Sequence, residues 1–222
     1  MPRRPGRRHQ VLVVGLGRFG TAVAETLTAQ GHDVVGVDAD PKLVQHAALT
    51  LANVAEADTT DPEALRQLGA AEFERAVVGI GSNIEASILT TAALADLGVP
   101  HIWAKAITAE HARILERVGA HHVVLPEHDA GVRIAHLVTG QMMEYLEFDT
   151  SFALVETRAP AELVGQTLAA AGLRARHGVT IVCVKPAGGS FTYATADTVI
   201  GPDDVLVAVG ESDRVEAFAE LR

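Results

Sequence analysis

Val11-Leu12-Val13-Val14-Gly15-Leu16-Gly17-Arg18-Phe19-Gly20 is the stretch whose reading decides the fold. Four apolar residues in a row, three of them valine, read as a buried strand, and the periodic segment after Gly20 reads as a helix. A G-x-G-x-x-G pattern set between a strand and a helix is the context that marks a nucleotide-binding fingerprint. Gly15 permits the tight turn, Gly17 lets phosphates approach the backbone, and Gly20 lets helix and strand pack closely. The start of the helix then offers free N–H groups and a partial positive charge to those phosphates. Asp38 closes the next predicted strand, near the ~20-residue offset of an acid that hydrogen-bonds ribose hydroxyls. An acid there also repels a 2′-phosphate, which disfavours NADP.

Outward from this stretch the pattern repeats as strand, then helix. Short β-branched runs stand at residues 34–37, 76–80, 101–104 and 121–125, with a weaker one at 53–57. Asp40-Pro41 and Asp61-Pro62 each set a capping acid before a proline suited to the first helical position. Gly31, Gly69, Gly98 and Gly119 fall where helices should stop. Alternation at this spacing predicts a Rossmann-like, doubly wound parallel sheet, an α/β domain over residues 10–148. Its last element is read as a helix over 129–148. One apolar stripe there runs Val132, Ala135, Val138, Met142, Leu146, and another runs Ile134, Leu137, Tyr145, Phe148. Two apolar faces mean burial on two sides, either within its own chain or against a second copy as a dimer crossover. Residues 149–222 read differently, with strands at 152–157, 180–184, 191–194 and 205–209 and helices at 165–171 and 212–221. This is a small α+β domain.

With 222 residues and 48% apolar content, the chain can bury a core without staples. A net charge of −10 argues against nucleic acid as a partner, since phosphate backbones demand clustered Lys and Arg. The exception is the start, residues 1–9, where Arg3, Arg4, Arg7 and Arg8 read as a disordered, solvated tail or as a docking arm for an acidic partner or membrane surface. The apolar run 11–16 is far short of the ~18 residues of a membrane span. Cys183, the single cysteine, excludes an intramolecular disulfide and reads as a small buried residue. The expectation is a cytoplasmic protein.

Several further residues are candidates for the site. Arg18 lies inside the glycine loop, where it either pairs with a terminal phosphate, as ATP would present, or is a solvated surface charge. Asp58, ending the third strand, is placed for a base or ribose, and equally for capping a helix. Gly79-Ile80-Gly81 ends the fourth strand and would let backbone approach a ligand across the switch point. Glu127 is suited to an oxygen-ligated cation such as Mg2+ beside phosphates; with Asp129 it equally suits a helix start without metal. The ten histidines show no zinc-site spacing.

These residues resemble the RCK (regulator of conductance of potassium) family, and within it the cytoplasmic KtrA/TrkA-type subunits with TrkA-N and TrkA-C domains. The resemblance rests on the glycine loop, Val35-Gly36-Val37-Asp38, Ile80-Gly81-Ser82-Asn83-Ile84-Glu85-Ala86-Ser87 and Ile102-Trp103-Ala104-Lys105-Ala106. It continues through Pro126-Glu127-His128-Asp129-Ala130-Gly131-Val132, Arg174-Ala175-Arg176-His177-Gly178-Val179-Thr180-Ile181 and Asp203-Asp204-Val205-Leu206-Val207-Ala208-Val209-Gly210. It implies a regulatory subunit, not an enzyme, that binds ATP or ADP and gates a membrane-embedded potassium transporter subunit, as a dimer and an octameric ring. Phe19 and Lys105 join the candidate nucleotide contacts through these motifs. By the same resemblance Arg18 senses the γ-phosphate across a dimer interface and Glu127 takes part in a cation site. Relatives bind cyclic di-AMP in the second domain; Arg174, Arg176 and His177 fall in the matching segment, but Gly172 stands where close relatives carry asparagine. The other reading is an NAD(H)-binding oxidoreductase or redox sensor, for which the last ~70 residues supply no acid–base constellation. A DNA-reading regulator would need a recognition helix that a basic tail does not provide.

Overall fold

A strand whose successive side chains point to opposite faces must be covered on both when every residue is apolar. The first strand, β1 (Gln10–Val14), meets that demand in the computed structural model, which describes residues 8–138, 142–149 and 151–221. It is central in a parallel sheet with β2 (Asp33–Asp38), β3 (Asn53–Glu56), β4 (Arg75–Val78), β5 (His101–Lys105) and β6 (His122–Val124), in the order β3-β2-β1-β4-β5-β6. Val11 lies beside Val34 on one flank, and Leu12 beside Ala76 on the other. Helices α1 (Arg18–Ala29), α2 (Pro41–Ala47), α3 (Pro62–Gln67), α4 (Ile84–Asp96) and α5 (Ala109–Arg117) connect the strands. Val11 and Val13 enter one core with Leu16, Ala24 and Leu51; Leu12 and Val14 enter another with Leu65, Leu94, Ile102 and Leu115. The strand order reverses between β1 and β4, which places the crevice for a ligand beyond their carboxyl ends.

Local chemistry sets the helix limits. Asp40 accepts from Lys42 N–H and Asp61 from Glu63 N–H, each at 2.9 Å, with proline at the first helical position. Asn83 and Thr108 cap α4 and α5 in the same way. All four glycines expected to stop helices have positive φ. At Gly98 the stop is a Schellman pair, Gly98 N–H to Ala95 O and Val99 N–H to Leu94 O.

The chain divides into two units, Met1–Glu127 and His128–Arg222. Helix α6 (Pro126–Val138) runs over the division. The second unit holds β7 (Met142–Asp149), β8 (Phe152–Arg158), α7 (Leu168–Ala171), α8 (Leu173–His177), β9 (Thr180–Lys185), β10 (Thr192–Tyr193), β11 (Val205–Glu211) and α9 (Ser212–Ala219). Its antiparallel sheet has the order β10-β9-β11-β8-β7, and Ala153, Val155, Leu206 and Ala208 pack with Val215 and Phe218 of α9.

The helix expected over 129–148 requires correction. It ends at Val138, residues 139–141 lie outside the described residues, and 142–149 is a strand pairing with β8, Tyr145 opposite Val155 and Leu146 opposite Leu154. The register shifts between Met142 and Glu144. This bulge brings Met142 and Tyr145, three residues apart, onto the buried side and so breaks the two-residue period that marks a strand. The second unit therefore begins well before 149. The helix expected over 165–171 starts at Leu168 and is broken at Gly172, φ +58°, before α8. Of the basic stretch, Arg3, Arg4 and Arg7 lie outside the described residues. Among those described, no helix is long and apolar enough to cross a membrane.

Candidate functional site

Gly15 N–H donates to Val37 O at 2.8 Å, which pins the glycine loop over the end of β2. Gly15 has φ +89°, and a Cβ on it would sit 2.9 Å from Ile80 N. A Cβ on Gly20 would lie 1.8 Å from Gly15 O, so α1 reaches the loop only because residue 20 has none. Gly79 serves the same closeness from the other side, its N–H bonded to Val14 O at 2.7 Å and its missing Cβ 3.1 Å from Gly15 O. Gly79 thus packs tightly against the protein's own backbone. Gly17 is different. It caps α1 with φ −70° and no side-chain acceptor, and open space surrounds its Cβ position. No side chain caps the start of α1 at Gly17, and a helix start left in this way offers free N–H groups to anions.

The acids stand around this loop. Asp38 accepts from Leu16 N–H at 2.7 Å through one oxygen and from Asp40 N–H at 2.8 Å through the other. It therefore braces the loop, while its remaining lone pairs stay available to a ligand. Asp58 is exposed and does not cap α3; Asp61 does. One Asp58 oxygen accepts from Thr60 N–H (3.0 Å) and Thr60 Oγ1 (2.7 Å), bonds that hold its carboxyl below the usual carboxylate range. Lys105, at the end of β5, is the hub of the opposite wall. Its Nζ lies 2.6 Å from Glu127 Oε1, 5.8 Å from the Phe19 ring centroid, and 3.1 Å from where a Cβ on Gly81 would be. The Lys105 side chain is 11% exposed and that of Glu127 63%. The Lys105 hydrogen bond holds the Glu127 carboxyl below its usual range, with a smaller part from the charge of exposed Arg18. Arg18, Phe19, Gly81, Lys105 and Glu127 are thereby gathered at one end of the sheet.

In the second unit a cleft of about 380 Å³ is lined by Arg174, Arg176, His177 and Arg214, with Phe152 and Glu211. Arg174 donates twice to Thr180 Oγ1, at 3.0 and 3.1 Å. Arg176 lies 3.5 Å and His177 3.8 Å from Glu162 Oε1.

Comparison with known proteins fixes the relationship. The TrkA-N domain family matches residues 11–126 and the TrkA-C domain family residues 152–222. The Ktr system potassium uptake protein C of Bacillus subtilis (strain 168) is 36% identical over 212 residues, 95% of this chain and 96% of that one. The Ktr system potassium uptake protein A of the same organism is 33% identical over 213 residues, 96% of each. The chain belongs to the TrkA-N/TrkA-C family of potassium uptake proteins. A solved structure of the GsuK channel bound to NAD shares the fold with a TM-score of 0.63 at 20% identity, over 96% of this chain and 39% of that one. This TrkA-family chain thus spans well under half of that channel's length, whereas it covers nearly all of the two Bacillus potassium uptake proteins.

The tight turn at Gly15, the close packing at Gly20 and the place of Asp38 at the end of β2 were readable from spacing alone. Sequence reasoning missed Thr59 and Thr90, whose hydroxyls meet in the interior, and Arg214. The sign available for Thr90 was a pair of threonines in the apolar middle of α4. Among the described residues no group of three or more His, Cys, Asp or Glu is placed to hold a metal. Magnesium on nucleotide phosphates ordinarily takes one or two protein carboxylates. Glu127 offers one, half engaged by Lys105. That donor set fits a cation held chiefly by phosphate and water, and does not form a protein cage.

Proposed function

We propose that this TrkA-family chain is a cytoplasmic, nucleotide-binding regulatory subunit that gates a membrane-embedded potassium transporter subunit. It would lie at the inner face of the membrane through that partner, with ATP and ADP stabilising different arrangements of a ring of dimers, an octamer. The observation that carries the reading is the uncapped start of α1 at Gly17, open to a ligand and flanked by Asp38 on one side and by Lys105 with Phe19 on the other. In this account the first N–H groups of α1 hold phosphates, Asp38 accepts from ribose hydroxyls, and the Asp58 oxygen left without a Thr60 bond accepts from the base or ribose. Lys105 adds charge on the phosphate side, near Gly81, and Glu127 gives one carboxylate to a divalent cation there. Arg18 reaches the γ-phosphate of a nucleotide held by a second protomer. NAD(H) is the other ligand the fold supports, given its presence in the GsuK channel.

Gating requires unequal affinity, because a ligand that binds two arrangements equally shifts neither. An Arg18 contact to a group that ATP has and ADP lacks supplies that inequality. Arg18→Ala is expected to erase most of the ATP-over-ADP preference while leaving ADP affinity within about twofold, measured by calorimetry with magnesium present. An unchanged preference would refute the role of Arg18. In the second unit, the cationic cleft at Arg174, Arg176 and His177 suits cyclic di-AMP, whose two phosphodiesters need such partners. The ligand would have to compete with Glu162 and Thr180 for those side chains.

A further inference from the structure

Asp58 and Thr59 are neighbours with opposite surroundings. Asp58 is exposed at the carboxyl end of β3, whereas Thr59 is 5% exposed and Thr90, on α4, is 0% exposed. Their hydroxyl oxygens are 2.9 Å apart. The loop carrying both residues is tied upstream by Ala57 N–H to Asp38 O at 3.1 Å and downstream by the Asp61 cap of α3. Between these ties the Thr59–Thr90 bond joins it to α4, the helix that begins just after Gly81. The bond therefore joins the two walls of the crevice, the acid-bearing loop and the helix behind the Gly79–Gly81 turn.

Packing alone does not explain two hydroxyls here. Valine has the shape of threonine, and replacing both partners of a buried hydrogen bond by apolar groups of the same shape is nearly neutral for stability. What valine cannot supply is direction. A hydroxyl pair ties its two backbones together through a directional bond, and Asp58 is the very next residue. Its carboxylate is already locked by Thr60, so the whole Thr60-braced turn moves as one with Thr59.

We propose that the buried Thr59–Thr90 pair is a positioning device that sets the Asp58 carboxylate for the base or ribose of an adenine nucleotide. The inference rests on the nucleotide reading above. Thr59 and Thr90 touch no ligand; they act through Asp58.

The test uses the full chain, ADP as the probe, calorimetry for affinity and thermal melting for the fold. Thr90→Val alone leaves a buried hydroxyl unpaired and is expected to lower Tm. The double variant T59V/T90V is expected to recover the parental Tm yet bind ADP about fivefold more weakly, the loss of one hydrogen bond's worth of positioning. In an Asp58→Ala background the same double substitution should cost nothing further, since residues acting through one group are not additive. Parental ADP affinity in T59V/T90V would overturn the proposal, and so would a further loss on top of Asp58→Ala. Failure of the unaltered protein to bind ADP would instead overturn the nucleotide reading beneath it.

Discussion

Gly17 and Gly20 sit three residues apart at the start of α1 in opposite surroundings, which makes them the sharpest test at the scale of single residues. A methyl at 20 would lie 1.8 Å from a carbonyl oxygen, while a methyl at 17 meets nothing within 4 Å. Gly20→Ala should cost about 3 kcal/mol of stability or prevent folding, since backbone must move to admit it. Gly17→Ala keeps an allowed backbone and should cost at most about 1 kcal/mol, yet weaken ADP by about tenfold, because the new methyl occupies the phosphate approach. Melting curves beside calorimetry separate the two; a Gly17→Ala variant that binds normally would remove the phosphates from this loop. The glycines and Asp38 were legible in the sequence because their chemistry is local and follows a fixed spacing. The Lys105–Glu127 and Thr59–Thr90 contacts join residues 22 and 31 positions apart. They exist only because the fold brings those elements together, so no spacing rule reveals them.

Elements were legible wherever a boundary signal and a period agreed. Asp-Pro starts open α2 and α3, Gly69 stops α3 as expected, and all six strands of the parallel sheet lie where β-branched runs stand. The failure over 142–149 has a physical cause: a bulged strand loses the two-residue period by which a strand is read. What remains of the expected two-faced helix is α6, which buries none of its residues and exposes Ile134 and Val138. An apolar stripe left uncovered in one chain is accounted for, in this reading, by a second copy across a dimer crossover. Ile134→Asp, a surface change within one chain, should leave Tm of the folded protomer little altered and shift sedimentation equilibrium toward monomer. Unchanged assembly would take the crossover away from α6.

At the scale of the whole molecule the glycine-loop unit and the antiparallel unit match two family domains in order, and that order, more than the parallel sheet alone, assigns the chain to its family. The sequence carried this through motifs strung along nearly its full length, whereas the ligand itself leaves no such string. In the proposed reading, the same crevice would take any adenine nucleotide whose phosphates meet α1 and whose ribose meets Asp38. The most direct measurement is therefore calorimetric titration of the purified full chain with ATP, ADP and NADH in turn, magnesium present. The account predicts tight binding of ATP and ADP with unequal affinities and much weaker NADH. Tight NADH with neither mononucleotide bound would contradict it.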